Sequence, residues 1–432
     1  MKKAHRGSIM HFLSDPSQTP DAVCYEYFSD GLLIIEDGAV QSVCDASKAV
    51  PNLSKDIQII EHKNSLIMPG FIDTHIHFPQ IEVIAAYGNQ LLQWLEKYTF
   101  PIEKKFKDKS YARTIAEKFL NELLRAGTTT ALVFGSVHKQ SVEAFFEACE
   151  ARNLRMIAGK VMMDRNAPDY LTDSPQSSYE DSKSLIEKWH NRSRLGYAVT
   201  PRFSPTSSAE QLYKAGQLLH EYPDVYMHTH LSENLDEIDW VKSLFPECDN
   251  YLDTYDRAGL LGRRSVFAHC IHLENNEWDR LSETNSGIAF CPTSNLFLGS
   301  GLFNLNCAIN KNINVGIGTD VGGGTSFSIL QTLNEAYKVL QLQGQTVSIL
   351  KMFYMATLGG AKTLDLHNKI GNFEQGKEAD FIVLDKSCTP LIDFRLSEHN
   401  DLLEQLFVFS MLGDDRAIQQ TWSAGSLVHE RG

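Results

Sequence analysis

The chain has 432 residues, 43% of them hydrophobic and 22% charged, which is the balance of a globular protein with a large buried core. Its net charge of −14, from 40 basic and 54 acidic residues without a dense basic tract, argues against nucleic acid or an anionic membrane as a main partner. No stretch approaches the ~20 apolar residues of a membrane span. The opening MKKAHRGSIMHFLSDPSQTP lacks a continuous apolar centre, so a secretory signal is not expected. The eight cysteines form no C-x-x-C pair and read as reduced packing residues, as expected of a cytoplasmic protein.

Residues 21–68 read as short strands joined by turns. In VCYEYFSDGLLIIEDGAVQSV, Asp30-Gly31 and Asp37-Gly38 both separate apolar runs, which is hairpin chemistry. GNFEQGKEADFIVLD and TWSAGSLVHE have the same texture near the other end, so both termini are expected to build one small β-domain. Next comes PGFIDTHIHF. Alternation along a strand puts His75 and His77 on one face, with Ile76 opposite. Paired imidazoles suit a divalent cation, although a lone H-x-H is more often a satisfied or exposed pair, so the rest of the chain must supply further ligands.

Between the terminal regions lie eight short apolar runs, from SLIMPGFIDTHIHF through TTTALVFG, RMIAGKVMMD, GYAVTPRF, DVYMHTHLSE, RSVFAHCIHL and SGIAFCPTSN to NVGIGTDVGGG. Helical segments separate most of them. YARTIAEKFLNELLRAG ends on Gly127 as a C′ glycine, and SSAEQLYKAGQLLHEYP opens with Ser207 and Glu210 as a capping box. Eight alternations predict a (β/α)8 TIM-like barrel; a doubly wound open sheet competes. Polar residues at the C-terminal ends of these runs, namely His75, His77, Arg202, His230, His269 and Asp320, favour the barrel, which builds its site at that rim. The expected architecture is therefore residues 1–68 and 369–432 as a small β-sandwich domain around a barrel over 69–368.

MHTHLSEN adds His228, His230 and Glu233; FAHCIHLE adds His269 and His272; GIGTDVGGG adds Asp320. Singly each has a plain explanation: His228 and His272 as rim or supporting residues, Asp320 as a turn former. Together, PGFIDTHIHF, HTHLSEN, AHC, GTDVGGG and GKEADFIVLD resemble the amidohydrolase superfamily. Within it, LLQWLEKYTFP, GTTTALVFGSVH, GKVMMDRNAPDY, VTPRFSPTSS and CPTSNLFLGSG are similar to the guanine deaminase family.

The resemblance implies hydrolytic deamination of guanine to xanthine and ammonia in purine catabolism or salvage. It implies one zinc ion per chain, with iron as the alternative, on His75, His77, His230 and Asp320. His230 is preferred to His228 because the family pattern His-Leu-x-Glu ends here on Glu233. Asp320 then takes and returns a water proton, Glu233 protonates a ring nitrogen and His269 holds the attacking oxygen. Gln80, Arg202 and Phe203 are the implied purine contacts, with His230 and Glu233 bordering the same ring; Trp94 either lines the pocket or packs. A homodimer is implied as well.

Other motifs point elsewhere and fail. GIGTDVGGG is neither G-x-G-x-x-G nor a P-loop, and the P-C-x-x-C of the other zinc deaminases is missing. Lys160 raises the two-metal, carboxylated-lysine variant of the superfamily, against the pattern of the remaining motifs. Two alternatives stand: an amidohydrolase acting on 8-oxoguanine, a methylthioadenosine-type nucleoside or a triazine, and a barrel scaffold without catalysis.

Overall fold

Each of the eight apolar runs carries a strand in the computed structural model, which describes residues 2–54, 57–87, 90–397 and 401–432. Phe71–His77, Thr128–Phe134, Arg155–Gly159, Gly196–Pro201, Tyr226–Leu231, Ser265–His269, Gly287–Phe290 and Val315–Ile317 pair in that order, all parallel. The ends meet: the Asp320 amide donates to the His75 carbonyl at 2.9 Å, and the His77 amide donates to the Val321 carbonyl at 2.8 Å. These bonds close a barrel and dispose of the open sheet.

The strands are short and apolar on both faces because helices cover the outside and side chains fill the inside. Ile72, Leu132, Ile157, Ala198, Val266 and Ala289, from six different strands, share one buried cluster. Neighbouring strands approach so closely at Gly159 that a Cβ there would stand 1.8 Å from the Ala198 carbonyl oxygen. On the outside, helix Lys109–Arg125 is capped by Asp108 and ends before Gly127 (φ +82°), the expected left-handed C′ glycine. The cap of helix Ala209–Glu221 is Ser208 instead of Ser207. Ser207 is drawn inward, where its hydroxyl donates to the Met162 carbonyl at 3.1 Å, so its neighbour receives the Gln211 amide.

Both termini enter one continuous seven-stranded sheet, with apolar clusters built from its strands. In order, its strands are Ser426–Glu430, Ile418–Ser423, Phe381–Asp385, Gln58–Pro69, Lys2–Phe12, Tyr25–Glu36 and Ala39–Asp45. The N-terminal Gln58–Pro69 pairs antiparallel with the C-terminal Phe381–Asp385, and then runs directly into the first barrel strand. Asp37-Gly38 (φ 50° and 84°) forms the expected two-residue turn. Asp30-Gly31 does not. It lies inside Tyr25–Glu36 opposite a bulge at Gly7–Ile9, where Gly31 gives room to the Ile9 side chain and Asp30 pairs with Arg6.

This sheet holds a buried histidine pair, His5 Nδ1 lying 2.9 Å from His62 Nε2 beside the rings of Phe381 and Trp422. Burial lowers His5 to about 3 and His62 to about 4. The unfolded chain takes up protons on both below about pH 6.5 while the folded chain refuses them, so stability falls as pH drops from there towards 4. Denaturant unfolding should show a loss of up to about 1.4 kcal/mol per pH unit per imidazole in that window. A His5→Asn, His62→Asn chain should flatten the slope, and an unchanged slope would refute the assignment.

Candidate active site

His75 and His77 stand at the end of Phe71–His77, His230 near the end of Tyr226–Leu231, and Asp320 just past Val315–Ile317. Their ligand atoms converge. His77 Nε2 lies 3.2 Å from each of His75 Nε2, His230 Nε2 and Asp320 Oδ1, and His75 Nε2 is also 3.2 Å from that oxygen. Ligand atoms of His75, His77 and Asp320 all lie within 4.8 Å of one another, as do those of His75, His230 and His269, so the cluster could hold a metal ion on imidazole and carboxylate donors.

The outer nitrogens show why the inner ones face each other. His75 Nδ1 is 2.7 Å from His228 Nε2, and His230 Nδ1 is 2.7 Å from the Arg202 carbonyl. His77 Nδ1 stands 3.2 Å from Gln80 Nε2. With the protons of His75 and His230 on their outer nitrogens, their Nε2 lone pairs point at the His77 ring, and that of His75 also at a carboxylate, an arrangement that a cation relieves. Burial keeps the imidazoles neutral: it lowers His75, takes His77 to about 3 and holds His230 well below its ordinary value. Burial works to raise Asp320, but the facing His75 and His77 outweigh it and hold the carboxyl well below the usual range. The residues present therefore suit a divalent metal, and His228 serves as a support.

Local backbone aims these groups. Asp320 (φ 49°) and His269 (φ 71°) both occupy the left-handed region, which Asp and His tolerate better than most residues and which is common at functional sites. Gly324 folds back over Asp320 so tightly that a Cβ would meet the Thr319 carbonyl at 1.8 Å. The glycine run thus serves the turn. Beneath it, the fully buried Asp73 accepts from the His75 and Thr319 amides (both 3.1 Å) and from the Thr319 hydroxyl (2.5 Å), tying the first barrel strand to the last.

Glu233 lies across the site, its Oε2 3.4 Å from His269 Nε2, while the Ser300 hydroxyl donates to its Oε1 at 3.1 Å. Burial, and then the charge of Asp320, raise it to about 8. Its backbone amide donates to Glu237, which is held in turn by the Tyr251 hydroxyl. His272 lies 2.8 Å from the Ser300 carbonyl and thus steadies the loop that meets Glu233. His269 Nδ1 is 2.8 Å from Asn295 Oδ1, an acceptor, so the proton sits on Nδ1 and the Nε2 lone pair faces Glu233 and Asp320.

These groups border a cavity of about 410 Å³, open mouth included, walled by Trp94, Phe203 and Leu298 and floored by Gln80 and Arg202. Every residue singled out as a ligand, catalytic group or ring contact therefore meets in one place. Trp94 lines the wall and also donates to the Ala86 carbonyl at 3.3 Å. Lys160 is elsewhere, its ammonium bonded to Asp173 and 3.2 Å from the Val161 carbonyl. Sequence reasoning missed Asp73, Glu103 and Asn295. Asp73 had a signal, two residues before His75 inside the H-x-H run, and Asn295 lay within the CPTSNLFLGSG motif; Glu103 had none.

Residues 66–428 match the Amidohydrolase family. The chain is 56% identical to the guanine deaminase of Escherichia coli (strain K12), covering 99% of this chain and 98% of that protein. The solved E. coli guanine deaminase structure superposes with a TM-score of 0.97 over 100% of both chains. A guanine deaminase from C. acetobutylicum, solved with guanine bound in the active site, is 32% identical, with a TM-score of 0.89 over 99% of this chain and 100% of that one.

Proposed function

The chain belongs to the amidohydrolase family, and from that premise we propose that it hydrolyses guanine to xanthine and ammonia. The observation that carries the reading is the meeting of His75, His77, His230, Asp320 and Glu233 beside one cavity that Gln80, Trp94, Arg202 and Phe203 also line. The names of full-length relatives support the same reading. A zinc ion on the three imidazoles and Asp320, with iron as the alternative, supplies the Lewis acidity that makes water a competent nucleophile near neutral pH.

Asp320, ionised at neutral pH, accepts a proton from the attacking water. Glu233, protonated there, donates to the ring nitrogen beside C2 as the oxygen bonds to that carbon, so no charge builds on the ring. His269 Nε2 accepts the hydrogen bond of the attacking oxygen and orients it. Asp320 then passes its proton to the amino group, the C2–N bond breaks and ammonia leaves. The remaining O–H proton returns to Glu233, giving xanthine and restoring both carboxyls. Arg202 and Gln80 meet the polar edge of the ring while Phe203 and Trp94 cover its faces.

A panel of purines, nucleosides and triazines, read by ammonia release with metal content measured on the same sample, tests this. Guanine is expected to react fastest, with one metal per chain. An untouched guanine beside a reactive 8-oxoguanine, methylthioadenosine-type nucleoside or triazine would move the substrate. A metal-free sample inert to every ring would leave a scaffold. We place the enzyme in the cytoplasm as a homodimer, consistent with its eight unpaired cysteines; light scattering should give twice the chain mass.

A further inference from the structure

We propose that Glu103 is a positioning residue that sets the charge preference of the ring pocket, so that it takes an uncharged ring in preference to an anionic one. This role rests on the reading of the cavity as a purine pocket. Glu103 is fully buried and Arg202 only 2% exposed. Arg202 Nη1 donates to both oxygens of Glu103, at 3.0 and 2.9 Å, and Glu103 Oε1 also accepts from Gln80 Nε2 at 3.2 Å. One carboxylate thus fixes both side chains that floor the cavity.

The consequence is electrostatic. The cavity wall beside Arg202 is apolar, formed by Trp94, Leu95, Phe203 and Leu298, and the Phe100 ring lies 5.6 Å from the guanidinium. A guanidinium buried there alone would draw an anion strongly, since an unpaired buried charge is left without the solvation it had in water. Paired with Glu103 it contributes donors without net charge. Among the described residues Nη1 alone of the guanidinium nitrogens is engaged, which leaves the others for a ring carbonyl and ring nitrogen. The Gln80 amide, held by Glu103 at one end and receiving the Gly322 amide at 3.4 Å at the other, has its rotation fixed as well.

The test compares calorimetric Kd values for urate, an anion near neutral pH, and neutral hypoxanthine in the full chain and in Glu103→Gln. The variant should raise KM for guanine by about 10–100-fold with a smaller change in kcat, keeping its metal. The urate-to-hypoxanthine Kd ratio should fall by about tenfold or more, because Arg202 is left uncompensated. Glu103→Asp, which keeps the charge, should leave that ratio within about threefold of the parent. A folded Glu103→Gln with an unchanged ratio overturns the proposal. If that variant does not fold, a Glu103→Gln, Arg202→Gln chain carries the test: a parental ratio supports the proposal and a tenfold fall overturns it. Binding is read without turnover, so inertness of the parent towards guanine would remove the substrate and not this charge preference.

Discussion

Glu233→Gln is expected to cut kcat for guanine by about 10²–10⁴-fold while the protein keeps one metal per chain. Glutamine fills the same space and can still accept from the Ser300 hydroxyl, so cavity and fold persist. What it lacks is a transferable proton. In the parent that proton is held because Glu233 is buried and faces the Asp320 charge, which raise it to about 8. The charge that would build on the ring during attack then goes uncancelled, and KM should change far less than kcat. Steady-state kinetics with metal analysis on the same preparation decides it. Near-parental turnover would remove Glu233 from the mechanism; loss of metal would make it a support for the ligands.

His230→Ala should cost more, lowering activity by about 10³-fold or beyond and reducing bound metal well below one per chain. It deletes one of four converging groups and leaves His77 Nε2 without one of its neighbours at 3.2 Å. The outer atom matters too, since the Arg202 carbonyl loses the imidazole 2.7 Å away. A metal that binds only the folded state stabilises it by mass action. Stripping the parent with a chelator should therefore lower its Tm, and returning zinc should restore both Tm and activity. The variant should show neither response. Metal retained at one per chain together with parental kcat would break the assignment of this centre.

His228→Ala separates the two histidines of that strand, and its expected effect is smaller. Among the described residues His228 meets the centre through His75, 2.7 Å away, so metal affinity should weaken by about 10–100-fold without being abolished.

How far each feature could be read in advance follows from how local it is. Chain covalency and strand alternation put His75 and His77 on one face whatever the fold, and the left-handed turn at Asp37-Gly38 needs only its own two residues. The C′ glycine at 127 is equally local. The eight apolar runs demand burial on both faces, which a barrel and a doubly wound sheet both meet, and the bonds from Asp320 to His75 and from His77 to Val321 decide for the barrel. Asp30-Gly31 has the same local chemistry as Asp37-Gly38 and still lies mid-strand, because a bulge in the neighbouring strand decides its use.

Sequence by itself determined the strands, the paired imidazoles and, through family resemblance, the chemistry. Tertiary structure alone brought Glu103 to Arg202 across 99 residues, His228 to His75 across 153 and Asn295 to His269 across 26. The reason is physical: the first set depends on bonds and dihedrals a few residues long, whereas a buried partner is fixed by where barrel closure leaves an unmet charge or proton. No spacing in the chain encodes that.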